Sequence, residues 1–222
     1  NGRCWVLTFS VEVEENQTTL NKDLSLGIDL GVKDLAICSN EIKFKNINKT
    51  KKVKKLKKRL KRLQRQVSRK YEANKEGNKF VKTNNIIKLE KQIKLLYRKL
   101  SNIRNNHIHQ ATNKIIKLKP YRIVMENLNV SGMMKNKHLS NAIAEQCFYE
   151  FIRQVKYKSQ FNGIKFIQVD RFYPSSKKCS CCGNIKEDLR LKERTYICNE
   201  CGSKIDRDLN ASINLANYKL LV

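Results

Sequence analysis

Two groups of residues in this chain have the types and the spacing to do chemistry. The first is a pair of CxxC knuckles, Cys179-Ser180-Cys181-Cys182-Gly183 and Cys198-Asn199-Glu200-Cys201-Gly202. Four thiolates arranged as two such pairs across a short arm form the zinc-ribbon pattern, and the Gly behind each second cysteine permits the tight turn. We expect Cys179, Cys182, Cys198 and Cys201 to hold one structural Zn²⁺. Cys181 competes with Cys182 for a place, although the two-residue gap makes the better knuckle. A closed four-thiolate site offers a substrate no open position, so this metal would hold shape. Lys177, Lys178 and Lys204 can offset the charge of about minus two on the four thiolates and the ion.

The second group is acidic. Leu24-Ser25-Leu26-Gly27-Ile28-Asp29-Leu30-Gly31-Val32 reads as a buried strand with one carboxylate near its middle. An unpaired ionised Asp in such a place would cost several kcal/mol or more, so Asp29 needs a cation unless it ends the strand in a turn. The flanking glycines would let a phosphate come close. Tyr121-Arg122-Ile123-Val124-Met125-Glu126 repeats the theme, an apolar strand that ends in a carboxylate. Asp208 stands at the start of a helix marked by Leu209, Ile213, Ala216 and Leu220, where it could equally serve as an N-cap.

The elements that would position these groups alternate between strand and helix. Trp5, Leu7, Phe9, Val11 and Val13 alternate with polar residues, as in a half-buried strand, which needs partners to be stable in water. Residues 14–23 then form a polar linker. After the Asp29 strand, Asp34–Cys38 and Ile42–Phe44 read as two more strands joined by Ser39-Asn40-Glu41. Three strands in succession, the first carrying an acid, are how a ribonuclease H-like sheet begins. Leu56, Leu60, Leu63 and Val67, and then Ile86, Leu89, Ile93, Leu96, Leu100 and Ile103, fall at helix spacing on either side of a break at residues 74–78. We expect an antiparallel pair of long helices with basic outer faces. A loop over residues 127–132, a helix over residues 142–161 with Ile143, Cys147, Phe151 and Val155 inward, and a strand over residues 164–169 complete a strand-helix-strand unit of parallel pairing.

Composition narrows the partners. Lys and Arg number 47 against 20 Asp and Glu in 222 residues, a net charge of +27. Such a field points to a polyanion, and the basic residues beside apolar helical positions suit a folded nucleic-acid surface better than a disordered tail. On the first long helix, Lys54, Lys55, Lys58, Arg59, Arg62, Arg65 and Arg69 have few Glu partners to relieve their repulsion, so phosphate is their expected counter-charge. No apolar run approaches the roughly 18 residues of a membrane span, and no signal peptide is visible, so a cytoplasmic, nucleoid-associated protein is expected. Eight cysteines in this pattern fit a metal site in a reducing compartment better than a disulfide scaffold, with Cys4, Cys38 and Cys147 as ordinary buried residues. The chain begins at Asn1 without a Met, inside a strand-like pattern, and we expect an N-terminal portion beyond it.

The succession GIDLG, IVMENLN, CSCCG with ICNECG, and DRDLNASINLA resembles the RuvC-like nuclease half of the transposon-encoded TnpB (OrfB) family, relatives of the type V CRISPR effector nucleases. Phe172-Tyr173-Pro174-Ser175-Ser176-Lys177 is similar to that family's approach to its knuckle, and Gly132-Met133-Met134 to its loop after the second acid. The likeness runs from about Leu24 to the C-terminus, with every motif in order. It implies an α/β fold, a ribonuclease H-like (RuvC) mixed sheet with a long helical-hairpin insertion and an inserted zinc ribbon. The implied divisions are residues 1–20 as the remnant strand of an upstream domain, 21–48, 119–174 and 206–222 as the RuvC-like domain, 49–118 as the basic insertion and 175–205 as the ribbon.

The resemblance also implies an RNA-guided DNA endonuclease of an insertion-sequence transposon, with a guide RNA and a DNA substrate as partners. By motif position its catalytic acids are Asp29, Glu126 and Asp208, with Asp206 the fallback for the third. Three such carboxylates suit Mg²⁺ or Mn²⁺, and two ions about 4 Å apart would activate the attacking water and stabilise the leaving 3′ oxygen. Two departures stand out. Asn127 takes a position where the family commonly has an acid, and the N-terminal recognition and guide-binding region is almost wholly missing. A catalytically inactive nucleic-acid-binding remnant and a strand-transfer transposase are the alternatives.

Overall fold

The computed structural model describes residues 7–12, 19–190 and 192–219. In chain order its elements are β1 (Asn21–Leu30), β2 (Asp34–Cys38), β3 (Lys43–Lys45), α1 (Lys51–Ala73), β4 (Lys75–Glu76), β5 (Lys79–Phe80), α2 (Asn84–Ile116), β6 (Pro120–Glu126), α3 (Val130–Met134), α4 (Ser140–Gln146), α5 (Phe148–Phe161), β7 (Lys165–Val169), β8 (Thr195–Ile197), β9 (Lys204–Asp206) and α6 (Arg207–Ala216). The described residues fall into two compact units, residues 7–12 with 47–107, and residues 19–46 with the described part of 108–219.

The larger unit is built on a mixed five-stranded sheet of order β3-β2-β1-β6-β7. Strands β3, β2 and β1 pair antiparallel, as short turns allow, while β1, β6 and β7 pair parallel. Alternation decides which side chains each face receives. Leu26 and Ile28 on β1 and Ile123 and Met125 on β6 are buried against Ile108, Ala111 and Ile115 of α2 and Phe151 and Val155 of α5. The opposite face carries Val124 of β6, Ile167 and Val169 of β7, and above them Leu215 of α6. The short pair β8-β9 and its knuckles enclose a separate small core of Cys179, Leu189, Tyr196 and Cys198.

The smaller unit is a helical hairpin. Thr50 caps α1 by accepting the Val53 amide, and Val53, Leu60 and Leu63 of α1 pack on Leu96 and Leu100 of α2. At the tip the β4-β5 pair fills the break between the helices, where Tyr71 donates to Glu90 (2.7 Å), an acid that also pairs with Lys82 (2.5 Å). The first part of α2, up to His107, belongs to this unit, and its last turns belong to the larger one.

Four expectations need correction. Leu7–Glu12 form no strand, and Leu7, Phe9 and Val11 are exposed at 83%, 79% and 76%. An alternating segment becomes a strand only when a neighbouring edge accepts its hydrogen bonds, and these residues have none among the described ones. Trp5, Val13, Cys4 and Leu220 lie outside the described residues. The expected loop after Glu126 ends at Asn129, whose side chain accepts the Gly132 amide and starts α3.

The expected single helix over residues 142–161 is two helices, because Cys147 takes a left-handed conformation (φ 53°). That break turns Gln146 inward and leaves Cys147 only half-buried. Lastly, α6 starts one residue earlier than expected, and Leu209 and Ile213 are half-buried, while Asn210, Ala211, Asn214 and Leu215 form its buried side.

Candidate active site

Asp29 and Glu126 meet through sheet register. Parallel pairing aligns Gly27 with Val124 and Ile28 with Met125, so the next step along each strand places Asp29 beside Glu126. Both are out of phase with the core residues Ile28 and Met125, so both rise from the face that α6 covers. The turn behind Asp29 is held from outside the sheet. Gln146 donates to the carbonyls of Gly31 (2.9 Å) and Val32 (3.2 Å), and Asn46 donates to Val32 O (2.8 Å).

Helix α6 lies directly on β1. A Cβ at Gly27 would stand 1.9 Å from the Ser212 carbonyl oxygen and 2.4 Å from the Ala216 nitrogen, so only glycine allows this approach. Two residues back along β1, Ser25 Oγ donates to the Ala216 carbonyl (2.6 Å), and Arg122 donates to the same carbonyl (2.9 Å) and to Ser25 Oγ (2.7 Å). The helix end is thus tied down over Ser25, and α6 runs antiparallel to β1. A step of two residues along a strand matches one turn of helix, about 6 Å, so the turn before Ser212 brings Asp208 to Asp29.

The electrostatics agree with this placement. Burial first, then the charges of Glu126 and Asp208, hold the Asp29 carboxyl well above the ordinary carboxylate range, against the pull of the Arg207 guanidinium and the Leu30 amide. Burial also raises Glu126, while the Ser175 hydroxyl, which donates to Glu126 Oε1, and Arg207 work the other way. Asp206 has a different task. Its Oδ1 accepts the amides of Asp208 (3.1 Å) and Leu209 (3.2 Å), so it is the N-cap, and its other oxygen lies 3.9 Å from Lys43. The cap that could have occupied Asp208 is supplied by its neighbour. Among the described residues the three carboxylates, one oxygen from each, do not come within 4.8 Å of one another as the four sulfurs do. The set is hard-oxygen and anionic, which fits Mg²⁺ or Mn²⁺.

The sulfurs of Cys179, Cys182, Cys198 and Cys201 all lie within 4.8 Å of one another, with Cys179 and Cys201 at 3.7 Å and Cys182 and Cys198 at 3.5 Å. Tetrahedral thiolates at the usual metal–sulfur distance stand ~3.8 Å apart, so the four can surround one ion. Each knuckle closes through a glycine of positive φ, Gly183 (81°) and Gly202 (70°), whose amides return to the carbonyls of Cys179 and Cys198. Burial works against ionising Cys179, but the amides of Cys182 and Cys181 and the Ser203 hydroxyl bring its thiol down to about 6. At Cys182 the Asn184 amide favours the thiolate, yet the adjacent thiols push it up to about 12. Four adjacent thiols cannot all ionise without a cation among them. Cys181 is exposed and outside this group.

In the helical unit, Lys54, Lys55, Lys58, Arg59, Arg62, Arg65 and Arg69 are all exposed. Lys55, Lys58, Arg59 and Arg62 line one groove of about 510 Å³ with Lys52 and Lys99, whereas Lys54, Arg65 and Arg69 lie outside it. Arg69 shares a second groove with Lys70 and Lys88.

Sequence reasoning passed over the polar pins. Asn210 and Asn214, one turn apart on α6, grip the segment that leads into the first knuckle. Asn210 donates to Lys178 O (2.7 Å) and accepts from the Ser180 amide (2.9 Å), and Asn214 donates to Ser175 O (2.8 Å) and Lys178 O (2.6 Å). Their i,i+4 spacing in DLNASIN was a signal, since two asparagines on the buried side of a helix need partners there.

Fold and site together define a mixed α/β protein with an acidic cluster at a sheet end and a four-cysteine metal-type site. Its backbone is similar to a chain in the cryo-EM structure of the CRISPR-Cas12f ternary complex (TM-score 0.68, 23% identity, covering 95% of this chain and 42% of that one) and to a chain of the Cas12f1-sgRNA-target DNA complex (TM-score 0.61, 22% identity, 96% and 53%). Residues 8–137 match the OrfB_IS605 family, described as "Probable transposase", and residues 148–215 match the Cas12f1-like TNB domain. The chain belongs to the OrfB_IS605 family. Among its relatives are InsQ of Escherichia coli (strain K12), provisionally named an RNA-guided DNA endonuclease (30% identity over 95% of this chain and 53% of that protein), and a Streptomyces pristinaespiralis protein of the same provisional name (29% identity, 86% and 44%). The chain thus spans about half the length of these relatives. No helix among the described residues is long and apolar enough to cross a membrane.

Proposed function

We propose that this chain is the nuclease portion of an RNA-guided DNA endonuclease, and that Asp29, Glu126 and Asp208 are the acids of a ribonuclease H-like, RuvC-type site. The observation that carries this is that Asp29 and Glu126 share the sheet face that α6 covers, with Asp208 on that helix close enough for its charge to raise Asp29. Three antiparallel strands followed by two parallel ones, in the order β3-β2-β1-β6-β7, support the ribonuclease H-like assignment.

The carboxylates of Asp29, Glu126 and Asp208 would hold Mg²⁺ or Mn²⁺, which when bound supplies an activated water and charge stabilisation for phosphodiester hydrolysis. The protein's own part is to fix the acids. The β1-β6 register sets Asp29 against Glu126, the Gly27 contact sets the height of Asp208, and Asp206 takes the capping role, accepting the Asp208 amide itself. Lys55, Lys58, Arg59 and Arg62 would hold nucleic acid through phosphates, contacts that position a strand without reading its sequence. Sequence choice would fall to a guide RNA. A labelled single-stranded DNA oligonucleotide, incubated with the chain and Mn²⁺, is expected to be cut, with the cut lost on chelation and in Glu126→Gln. Undiminished cutting by Glu126→Gln would overturn the assignment.

Cys179, Cys182, Cys198 and Cys201 would form a zinc ribbon, with the metal structural. Cys198→Ser is expected to remove bound zinc, measured by elemental analysis, and to strip amide-exchange protection from residues 195–206. An unchanged zinc content would show that Cys198 is not a ligand.

A further inference from the structure

Glu126 ends its strand with one oxygen already engaged. The Ser175 hydroxyl donates to Glu126 Oε1, and Ser175 is 97% removed from solvent, at 3% exposure. Nothing about this serine is loose. Its amide donates to the Tyr173 carbonyl (2.8 Å), its own carbonyl accepts from Asn214 of α6 (2.8 Å), and the turn behind it closes through Lys177 and Lys178 amides onto Pro174 O (3.1 and 2.9 Å). Tyr173, two residues before it, packs edge-on against Tyr218 and donates to the Asn214 carbonyl (3.1 Å). The backbone that carries the hydroxyl is therefore fixed from both sides by the helix that also carries Asp208.

A carboxylate with one oxygen held by a rigid donor has lost the rotation that would let both oxygens wander, and its other oxygen is aimed. A surface hydroxyl would do little of this, but a buried donor in a low-dielectric pocket holds its partner tightly. We infer that Ser175 is a positioning residue for Glu126, one that presets this acid for a divalent cation from the segment leading into the first CxxC knuckle. It touches neither substrate nor metal; it acts through Glu126. Asn214 is the second member of the device, because it holds the Ser175 carbonyl.

The inference rests on the proposed acidic site, and the test separates the two. Mn²⁺ is titrated into the full chain and followed by electron paramagnetic resonance, with zinc content and melting temperature recorded for every variant. Ser175→Ala is expected to weaken Mn²⁺ binding about 10-fold or more, the effect usual for removing a hydrogen-bond partner of a metal ligand, with zinc content unchanged. Ser175→Thr, which retains the hydroxyl, is expected to restore most of that affinity, whereas Ser175→Cys, close in volume but a poor donor, is not. If Glu126→Gln lowers Mn²⁺ affinity and Ser175→Ala does not, the positioning role is overturned and the acidic site stands. If Glu126→Gln binds Mn²⁺ as the parent does, the acidic site is wrong and the inference falls with it. Should Ser175→Ala lose zinc or melt early, the Thr and Cys pair decides: equal affinity in those two would overturn the role of the hydroxyl.

Discussion

Gly27→Ala is expected to detach α6 from the sheet, lowering stability by about 3 kcal/mol or more, at or beyond the upper end of ordinary overpacking. The reason is what the methyl would meet. Its Cβ would fall 1.9 Å from a carbonyl oxygen and 2.4 Å from an amide nitrogen of α6, and 2.9 Å from Leu215 Cβ. Backbone atoms cannot rotate aside as a long side chain can, so the whole helix must move. Movement would open the contacts of Leu215 with Val124, Ile167 and Val169 and break the Ser25 and Arg122 bonds to Ala216 O. For a domain of this size the loss corresponds to a fall in melting temperature of roughly 6–12 °C, measured by calorimetry. Because α6 carries Asp208, Mn²⁺ affinity should fall in the same variant. A Gly27→Ala chain that melts as the parent does would mean that α6 does not press on β1.

Asp29→Asn should act in the opposite direction on stability while removing the proposed activity. Replacing a buried carboxylate that faces two others with a neutral amide of the same shape relieves desolvation and repulsion together. The metal-free chain should gain on the order of 1 kcal/mol. The pH dependence follows from the direction of the shift. Asp29 is raised in the folded state, so the folded chain binds that proton more tightly than the unfolded chain, and stability falls as pH rises from the ordinary Asp value, about 3.9, through the raised one. Asp29→Asn should flatten that portion of the curve, with Glu126, also raised, leaving a smaller slope of the same sign. Cleavage and Mn²⁺ binding should drop by more than about 100-fold, since loss of a ligand exceeds the 10–100-fold usual for its outer partners. Denaturant melts across pH 5 to 8 without added metal, paired with Mn²⁺ titrations, check both halves. A variant less stable than its parent at neutral pH would contradict the placement of Asp29 among like charges.

Much of the architecture can be read along the chain, because burial has a period. Apolar runs marked most of the strands that run over Asn21–Leu30, Pro120–Glu126 and Lys165–Val169, although the first begins inside the expected linker, and heptad-like spacing marked the two helices that pack through Leu60, Leu63, Leu96 and Leu100. The CxxC spacing announced the four sulfurs that the structure gathers within 4.8 Å. Periodicity failed where it lacked a partner to act on, as in Leu7–Glu12, and where one residue leaves its pattern. No local rule marks Cys147 for a left-handed conformation, and only the competing demands of Gln146 and Phe148, both buried, place a break there.

By itself, then, the sequence determined which residues have the types for chemistry, the acids and the thiols, and which segments are apolar or helically spaced around them, since both follow from side-chain type and local spacing. Tertiary structure alone decided which acid caps the helix. Asp206 and Asp208 are two residues apart and indistinguishable by type, yet one caps α6 and the other faces Asp29, because the helix begins at Arg207 and lies antiparallel to β1. Likewise the bond from Ser175 to Glu126, across 49 residues, exists only because Asn210 and Asn214 draw that segment onto the same helix. Such pairings depend on register and helix direction, which are set by the sum of distant contacts and leave no periodic trace in the chain.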